Sequence, residues 1–477
     1  YKRQPNNRYQ KAYNLIGDVY AGYMSGTNNW DGGTNPQIYA LNGSDWCNVP
    51  FSESFTNVMP AWLQLKYAHA NGLLSDDIFA VANILKVMSL HRVSDIYGPL
   101  PVLHFGETEN PYNSQEECYM HFFETLDSAI AVLKDVVENN PDAKPLEEVD
   151  ALYHGDYSKW LKLANSVKLR LAMRICYVKP DLAKQYAMEA VRDGVMETAD
   201  DSALFQSWGS ITIINPLEKI WNGYSDTRMG ASMDSYLNGY NDPRLPVYFQ
   251  PVTEGDNKGE YRGVANGMPN PQQDDYKAMS APNVQEKSTD SPLRWMMASE
   301  VAFLRAEGAM RGWTAEMGGT AEEFYNKGIE LSFLENGLSA DAAARYAADE
   351  TSKPTDFTDV SAANTKYNIS ALGKITIKWN AGASEEEQLE RIITQKWIAM
   401  FPNGTEAWSE FRRTGYPLIF PVRSNYPTSG VDTNKQIRRM VFPQSEYSNN
   451  GAAVQEAVKL LGGPDNGGTK LWWDKKN

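Results

Sequence analysis

The sequence is short of the residues that bind metals and carry out covalent chemistry. It has five histidines, at positions 69, 91, 104, 121 and 154, and three cysteines, Cys47, Cys118 and Cys176. Neither set has ligand spacing, and three thiols cannot all pair with one another, so buried, inert cysteines are expected. Walker, G-x-G-x-x-G and H-E-x-x-H motifs are absent. Gly230 and Ser232 begin a nucleophile elbow that Asp234 breaks at its last position. Long apolar runs are missing too, and a membrane-spanning helix needs ~20 such residues. Basic residues are outnumbered, 45 Lys and Arg against 60 Asp and Glu, which gives a formal net charge of −15. That balance argues against a nucleic-acid partner and against broad adhesion to anionic lipid. So many acidic residues also make a pair at glycosidase separation, about 5–10 Å, uninformative. Glu300, Glu307 and Glu410 stand near Arg294, Arg305, Arg311, Arg412 and Arg413, and ion pairing is the expectation for them. No catalytic residue, metal or cofactor is assigned.

Aromatic residues are plentiful: 13 Trp, 26 Tyr and 16 Phe. Some lie on helical stripes. Residues 75–105 form the organising stretch, with Ile78, Val81, Leu85 and Met88 on one face and Ile84, Val87 and Leu90 widening it. A helix apolar most of the way round belongs inside other helices, and Gly98-Pro99 ends it. Phe55–Asn71 repeats the period through Val58, Trp62, Leu65 and Ala68. Capping boxes at Ser114–Glu117, Thr320–Glu323 and Ser384–Glu387 open three more helices, and Asp156 caps another. A helix is also expected over Arg8–Met24, and one from Ser291-Pro292. Ala340–Gly382 is weakly patterned, and the chain from Tyr416 reads as coil except at Ala452–Leu461. Trp62, Trp160, Trp397 and Trp408 fall on helical stripes and are expected in the core. Helices therefore come in pairs, with no strict repeat period.

Other aromatics sit among Asn, Asp and Gly in segments without helical period. Ser25–Trp46 holds Asn29, Trp30, Asp31, Tyr39 and Trp46; Ser207–Gly230 holds Trp208, Trp221, Tyr224 and Arg228. An aromatic plate covers the C–H face of a sugar ring while amides, carboxylates and guanidiniums satisfy its hydroxyl rim. These nine residues are the candidate ligand contacts, since loops on a rigid scaffold commonly carry binding groups. The competing reading is that such rings pin long loops to the body.

Three blocks carry a resemblance: H-R-V-S-D-I-Y-G-P-L-P from His91 to Pro101, S-E-V-A-F-L-R-A-E-G-A from Ser299 to Ala309, and Ile393–Pro417. In this order they resemble the SusD/RagB-like outer-membrane lipoproteins of Bacteroidetes, over most of the chain. The resemblance implies a mainly α fold, with about four tetratricopeptide-like helical pairs and little β structure. It implies one domain over residues 1–477. The helical scaffold would span about 53–195, 291–337 and 384–415, with ligand-facing segments at about 25–52 and 197–290. It further implies a non-catalytic protein on the Gram-negative cell surface that captures a glycan and passes it to a SusC-type TonB-dependent transporter. A leader and a lipid-bearing Cys upstream of Tyr1 would provide the membrane anchor. Three alternatives stay open. They are the same role with peptide or other nutrient cargo, a glycoside hydrolase, and a tetratricopeptide-type protein-interaction module.

Overall fold

The computed structural model describes residues 6–283 and 291–476. Residues 284–290, the end of the expected 197–290 segment, lie outside that range. The labels used here cover the strands and the helices that build the scaffold. They run in chain order as β1 (Met24–Gly26), α1 (Met59–Ala70), α2 (Asp76–Tyr97), α3 (Gln115–Asn139), α4 (Tyr157–Arg174), α5 (Pro180–Arg192), β2 (Ala203–Phe205), β3 (Thr227–Met229), α6 (Ala231–Gly239) and β4 (Leu293–Met296). They continue with α7 (Ala298–Met310), α8 (Ala321–Leu334), α9 (Ala340–Ala347), α10 (Glu385–Ala399), α11 (Gly404–Thr414) and α12 (Gln444–Leu461). The fold is mainly α, and its helices stack in tetratricopeptide-like pairs: α2 with α3, α4 with α5, α7 with α8, α10 with α11.

Helix α2 is central, in contact with α1, α3, α4 and α11. It stops at Gly98, whose φ of +94° suits a residue without Cβ; a Cβ there would come 3.0 Å from Leu461. The capping boxes at Ser114 and Thr320 form with both reciprocal bonds, and Asp156 caps α4. The three cysteines are buried and unpaired. Trp160, Trp397, Trp408 and Trp473 lie in the core, with the Arg412 guanidinium over the rings of the last two.

Five local expectations are corrected by tertiary packing. The helix expected over Arg8–Met24 is broken at Ile16-Gly17, because Gly17 abuts Thr405 so closely that a Cβ would sit 2.6 Å from its hydroxyl. Asp18 follows and accepts from the Gly404 N–H at 3.1 Å, tying the amino-terminal segment to the start of α11. Ser291-Pro292 leads into β4 instead of a helix, since Leu293–Met296 pairs antiparallel with Ala203–Phe205 and Phe205 stacks on Trp295 at 4.8 Å. In the weakly patterned 340–382 region a short helix, α9, packs on α8, and α12 starts at Gln444, ahead of the expected Ala452. Trp62 is half-buried rather than core. Its ring lines an open apolar furrow of about 350 Å³ that also takes in Leu65, Leu85, Val149, Trp160 and Trp295. Tyr67, Leu73 and Val149 stand exposed on the same molecule, at 52%, 80% and 61%.

The three sequence blocks meet in one buried ion network. Arg170 of α4 grips Glu300 of α7 with two bonds of 2.7 Å. Arg174, one turn on, donates to Glu406 and Glu410 of α11. Arg413 donates to Glu307 at 2.7 and 2.6 Å and to Glu410 at 2.9 and 2.7 Å, and Lys396 closes on Glu410 at 2.8 Å. Asp95 of the first block accepts from Tyr119 and, at 2.8 Å, from the Trp473 indole. Glu300 and Glu307 are thus paired, as expected of them, but Arg170 and Arg413 are the principal partners.

Candidate functional site

Strand β1 delivers the Trp30 loop to one end of the scaffold. It pairs antiparallel with β3, Met24 opposite Met229 and Gly26 opposite Thr227, and the Thr27 N–H extends the ladder to the Asp226 carbonyl at 2.9 Å. The two candidate loop segments are therefore joined here, with Asn29–Asp31 running out from one strand and Tyr224–Arg228 running into the other. Past the strand, Asn35 caps a tight turn by accepting from the Gln37 N–H at 3.0 Å and donates to the Trp30 carbonyl at 3.3 Å. Trp30 meets Trp46 edge to face, centroids 5.6 Å apart. Gly33, with φ of +84°, lies against Pro269, where a Cβ would come 2.1 Å from the carbonyl oxygen. The Ile38 carbonyl accepts from the Tyr426 N–H at 2.8 Å and brings a distant segment alongside.

A cleft of about 400 Å³ opens between these pieces, lined by Asp31, Thr34, Tyr39 and the Leu41–Ser44 turn on one side and by Tyr426, Thr428 and Asn466 on the other. A second hollow of about 280 Å³ shares Leu41–Ser44 and Val441 and extends to Gln444, Tyr447 and Asp465. The two form a trough along the turn. Its far wall is stiffened by Asn425, which donates to the Val431 carbonyl at 2.7 Å and accepts from the Ser429 hydroxyl at 2.6 Å. Within the described residues, Asp31, Thr34, Asn42 and Thr428 have no side-chain hydrogen-bond partner in the protein. Four unengaged polar side chains over a partly apolar floor of Leu41 and Val441 suit a ligand with many hydroxyls and apolar faces.

The nine candidate residues have different placements. Asn29 and Asp31 are exposed and Trp30 is half-buried beside the cleft. Tyr39 is only 1% exposed and forms the cleft's base, its phenol pKa driven up by burial. Trp46 (6%) supports Trp30 from within. Trp221 (3%) lies against Phe401, away from the Trp30 loop, in the wall of another hollow. Arg228 (5%) spends its guanidinium on the Lys277 and Thr227 carbonyls. Burial thus leaves Trp46 and Arg228 anchoring their loops, and puts Trp221 in the wall of that other hollow rather than in the cleft. Trp208 is half-buried, one face stacked on His154 at 3.4 Å and its indole N–H given to the Glu147 carbonyl. Tyr224 is half-buried with the Lys219 ammonium over its ring at 5.4 Å. Asn42, Tyr426, Thr428 and Asn466 escaped the sequence reading. No periodicity or motif links positions almost four hundred residues apart; only turn-rich composition marks each of them.

Among the described residues one group has metal-type side chains close together, His91, Asp95 and Glu406. All three are buried, and His91 Nδ1 lies 3.8 Å from the Asp95 carboxylate. Arg174 donates to Glu406 and lies 3.5 Å from Asp95, and Arg170 is 3.8 Å from Glu406. Two guanidiniums already supply the positive charge a cation would bring, so the group reads as part of the ion network.

A family model described as SusD-like, for SusD and RagB outer membrane lipoproteins, matches residues 1–474. Among solved structures, a chitin-binding SusD homologue from Flavobacterium johnsoniae is similar at 40% identity and a TM-score of 0.92, over 99% of this chain and 96% of that one. A SusD-like protein from Bacteroides thetaiotaomicron gives 38% and 0.92 over 99% and 96%. A SusD homologue from Bacteroides vulgatus gives 33% and 0.92 over 100% and 94%. No curated protein matches the sequence. No helix among the described residues is long and apolar enough to cross a membrane. A family match over nearly the whole length, with the same fold in relatives more than 30% identical, makes this chain a member of the SusD and RagB family of outer membrane lipoproteins, and its place is the outer membrane.

Proposed function

We propose that the protein is a non-catalytic receptor that captures a glycan in the trough along Leu41–Ser44 and passes it to a SusC-type TonB-dependent transporter. The observation that carries this reading is the set of unengaged polar side chains, Asp31, Thr34, Asn42 and Thr428, converging on a preformed cleft. A sugar's hydroxyls take up such groups, while Tyr426 and the half-buried Trp30 offer aromatic surface at the edge. The chitin-binding relative supports a glycan as cargo, and family membership supports delivery to the transporter. Tyr39 and Trp46 serve from beneath by holding the loop in shape.

Calorimetric titration with chitin oligosaccharides, followed by other glycans, tests the reading. Removing two hydrogen-bonding groups at about 0.5–1.5 kcal/mol each weakens binding about fivefold or more in the Asn42→Ala/Thr428→Ala double variant. Full affinity in that variant would place the site elsewhere. Release of reducing ends from a polysaccharide, abolished by one carboxylate substitution, would favour a hydrolase. Co-purification with a SusC-type transporter tests delivery.

A further inference from the structure

The trough is lined by two carboxylates, Asp31 and Asp465, and by no lysine or arginine. Asp465 is compensated: it accepts from Arg439, from the Tyr447 hydroxyl at 2.7 Å and from the Phe442 N–H at 3.2 Å. Asp31 is not. No hydrogen bond or ion pair among the described residues reaches its carboxylate. Its position is nonetheless well defined. Asp31 takes a left-handed backbone, φ +52°, which aspartate tolerates, and is followed by Gly32 and Gly33 at φ +64° and +84°. Gly33 is wedged against Pro269, so this turn has no room to swing toward that side.

We infer that Asp31 is a specificity-determining residue and that the trough selects glycans by charge. It admits neutral sugars, favours those bearing a protonated amino group and turns away uronates and sulfated sugars. The inference rests on the proposal that the trough is the glycan site. A neutral ring meets only the polar and apolar lining. An ammonium group within reach of Asp31 gains a charge-assisted hydrogen bond, whereas an acidic group faces an unpaired like charge on a protein that already carries a formal net charge of −15. Asp31 is exposed, so salt screens the effect and its size is modest, about three- to tenfold in affinity at low ionic strength.

A glycan array holding neutral, amine-bearing and acidic glycans, read with the full chain at low and high salt, tests this. Hits confined to neutral and amine-bearing glycans are expected, with the amine-bearing signals falling as salt rises. Asp31→Asn, which keeps the left-handed backbone accessible, should reduce the ratio of amine-bearing to neutral affinity about three- to tenfold, measured by calorimetry on glucosamine and N-acetylglucosamine oligomers. Circular dichroism checks the fold of the variant. Acidic glycans bound as tightly as neutral ones, or an unchanged ratio in Asp31→Asn, would overturn the charge rule while leaving glycan capture intact. An array without hits would remove glycan capture and the charge rule with it.

Discussion

Trp30, Trp46, Trp208 and Trp221 all occupy coil rich in Asn and Gly, yet they end in different situations. Trp30 is half-buried with Trp46 set edge to face beside it; Trp208 gives one face to His154; Trp221 is buried beside Phe401 in the wall of another hollow. Local composition marks a segment that leaves helical packing, and it is silent on which side of the ring the rest of the chain will cover. Trp221→Ala is therefore expected to cost about 3–5 kcal/mol of stability while glycan affinity stays at the wild-type value. A denaturant midpoint and a titration on the same sample check both halves. Asn42 and Thr428 illustrate the converse. Each is an ordinary turn residue in sequence, and their meeting depends on the Tyr426 N–H reaching the Ile38 carbonyl, a contact no local pattern encodes.

Helices were legible where an apolar stripe or a capping box marked them, as in α2, α3 and α8, because each signal lies within a few residues of sequence. Arg8–Met24 and Leu293–Met296 misled because Thr405 and strand β2 decide their conformation from far along the chain. The sequence blocks that make the family recognisable turn out to serve the interior: Asp95, Glu300, Glu307, Glu406, Glu410 and Arg413 bind α2, α4, α7 and α11 together. Family could thus be read from the residues that hold the scaffold, and the ligand could not. Arg413→Ala leaves Glu307 and Glu410 buried without their main partner and is expected to cost about 3–5 kcal/mol. Arg413→Lys should recover only part of that, since one ammonium cannot serve two carboxylates as a guanidinium fork does. Thermal unfolding of the two variants side by side measures the difference.

At the level of the whole molecule, buried carboxylates of two kinds pull the pH dependence in opposite directions. Burial works against the charged form of Glu307, but Arg413 and Arg311 outweigh it and bring the pKa down to about 2; Arg174 and Arg170 do the same for Glu406. Both contribute stability that is complete above about 4.5 and is lost as the pH falls toward 2. Burial raises Asp18 to about 7 and Asp226 to about 6, so the folded state holds these protons where the unfolded chain has released them, and stability declines as the pH rises from about 4 to 7. Asp18→Asn should remove its share of that decline between about pH 4 and 7 without altering the acid limb, as melting temperatures of the two proteins across a pH series would show; an unchanged difference between them over that window would contradict this assignment. The apolar furrow beside Trp62 has a practical bearing on that experiment. A native protein with a standing greasy channel brightens environment-sensitive dyes before any unfolding, so calorimetry or far-ultraviolet dichroism, rather than dye fluorescence, will give its true melting curve.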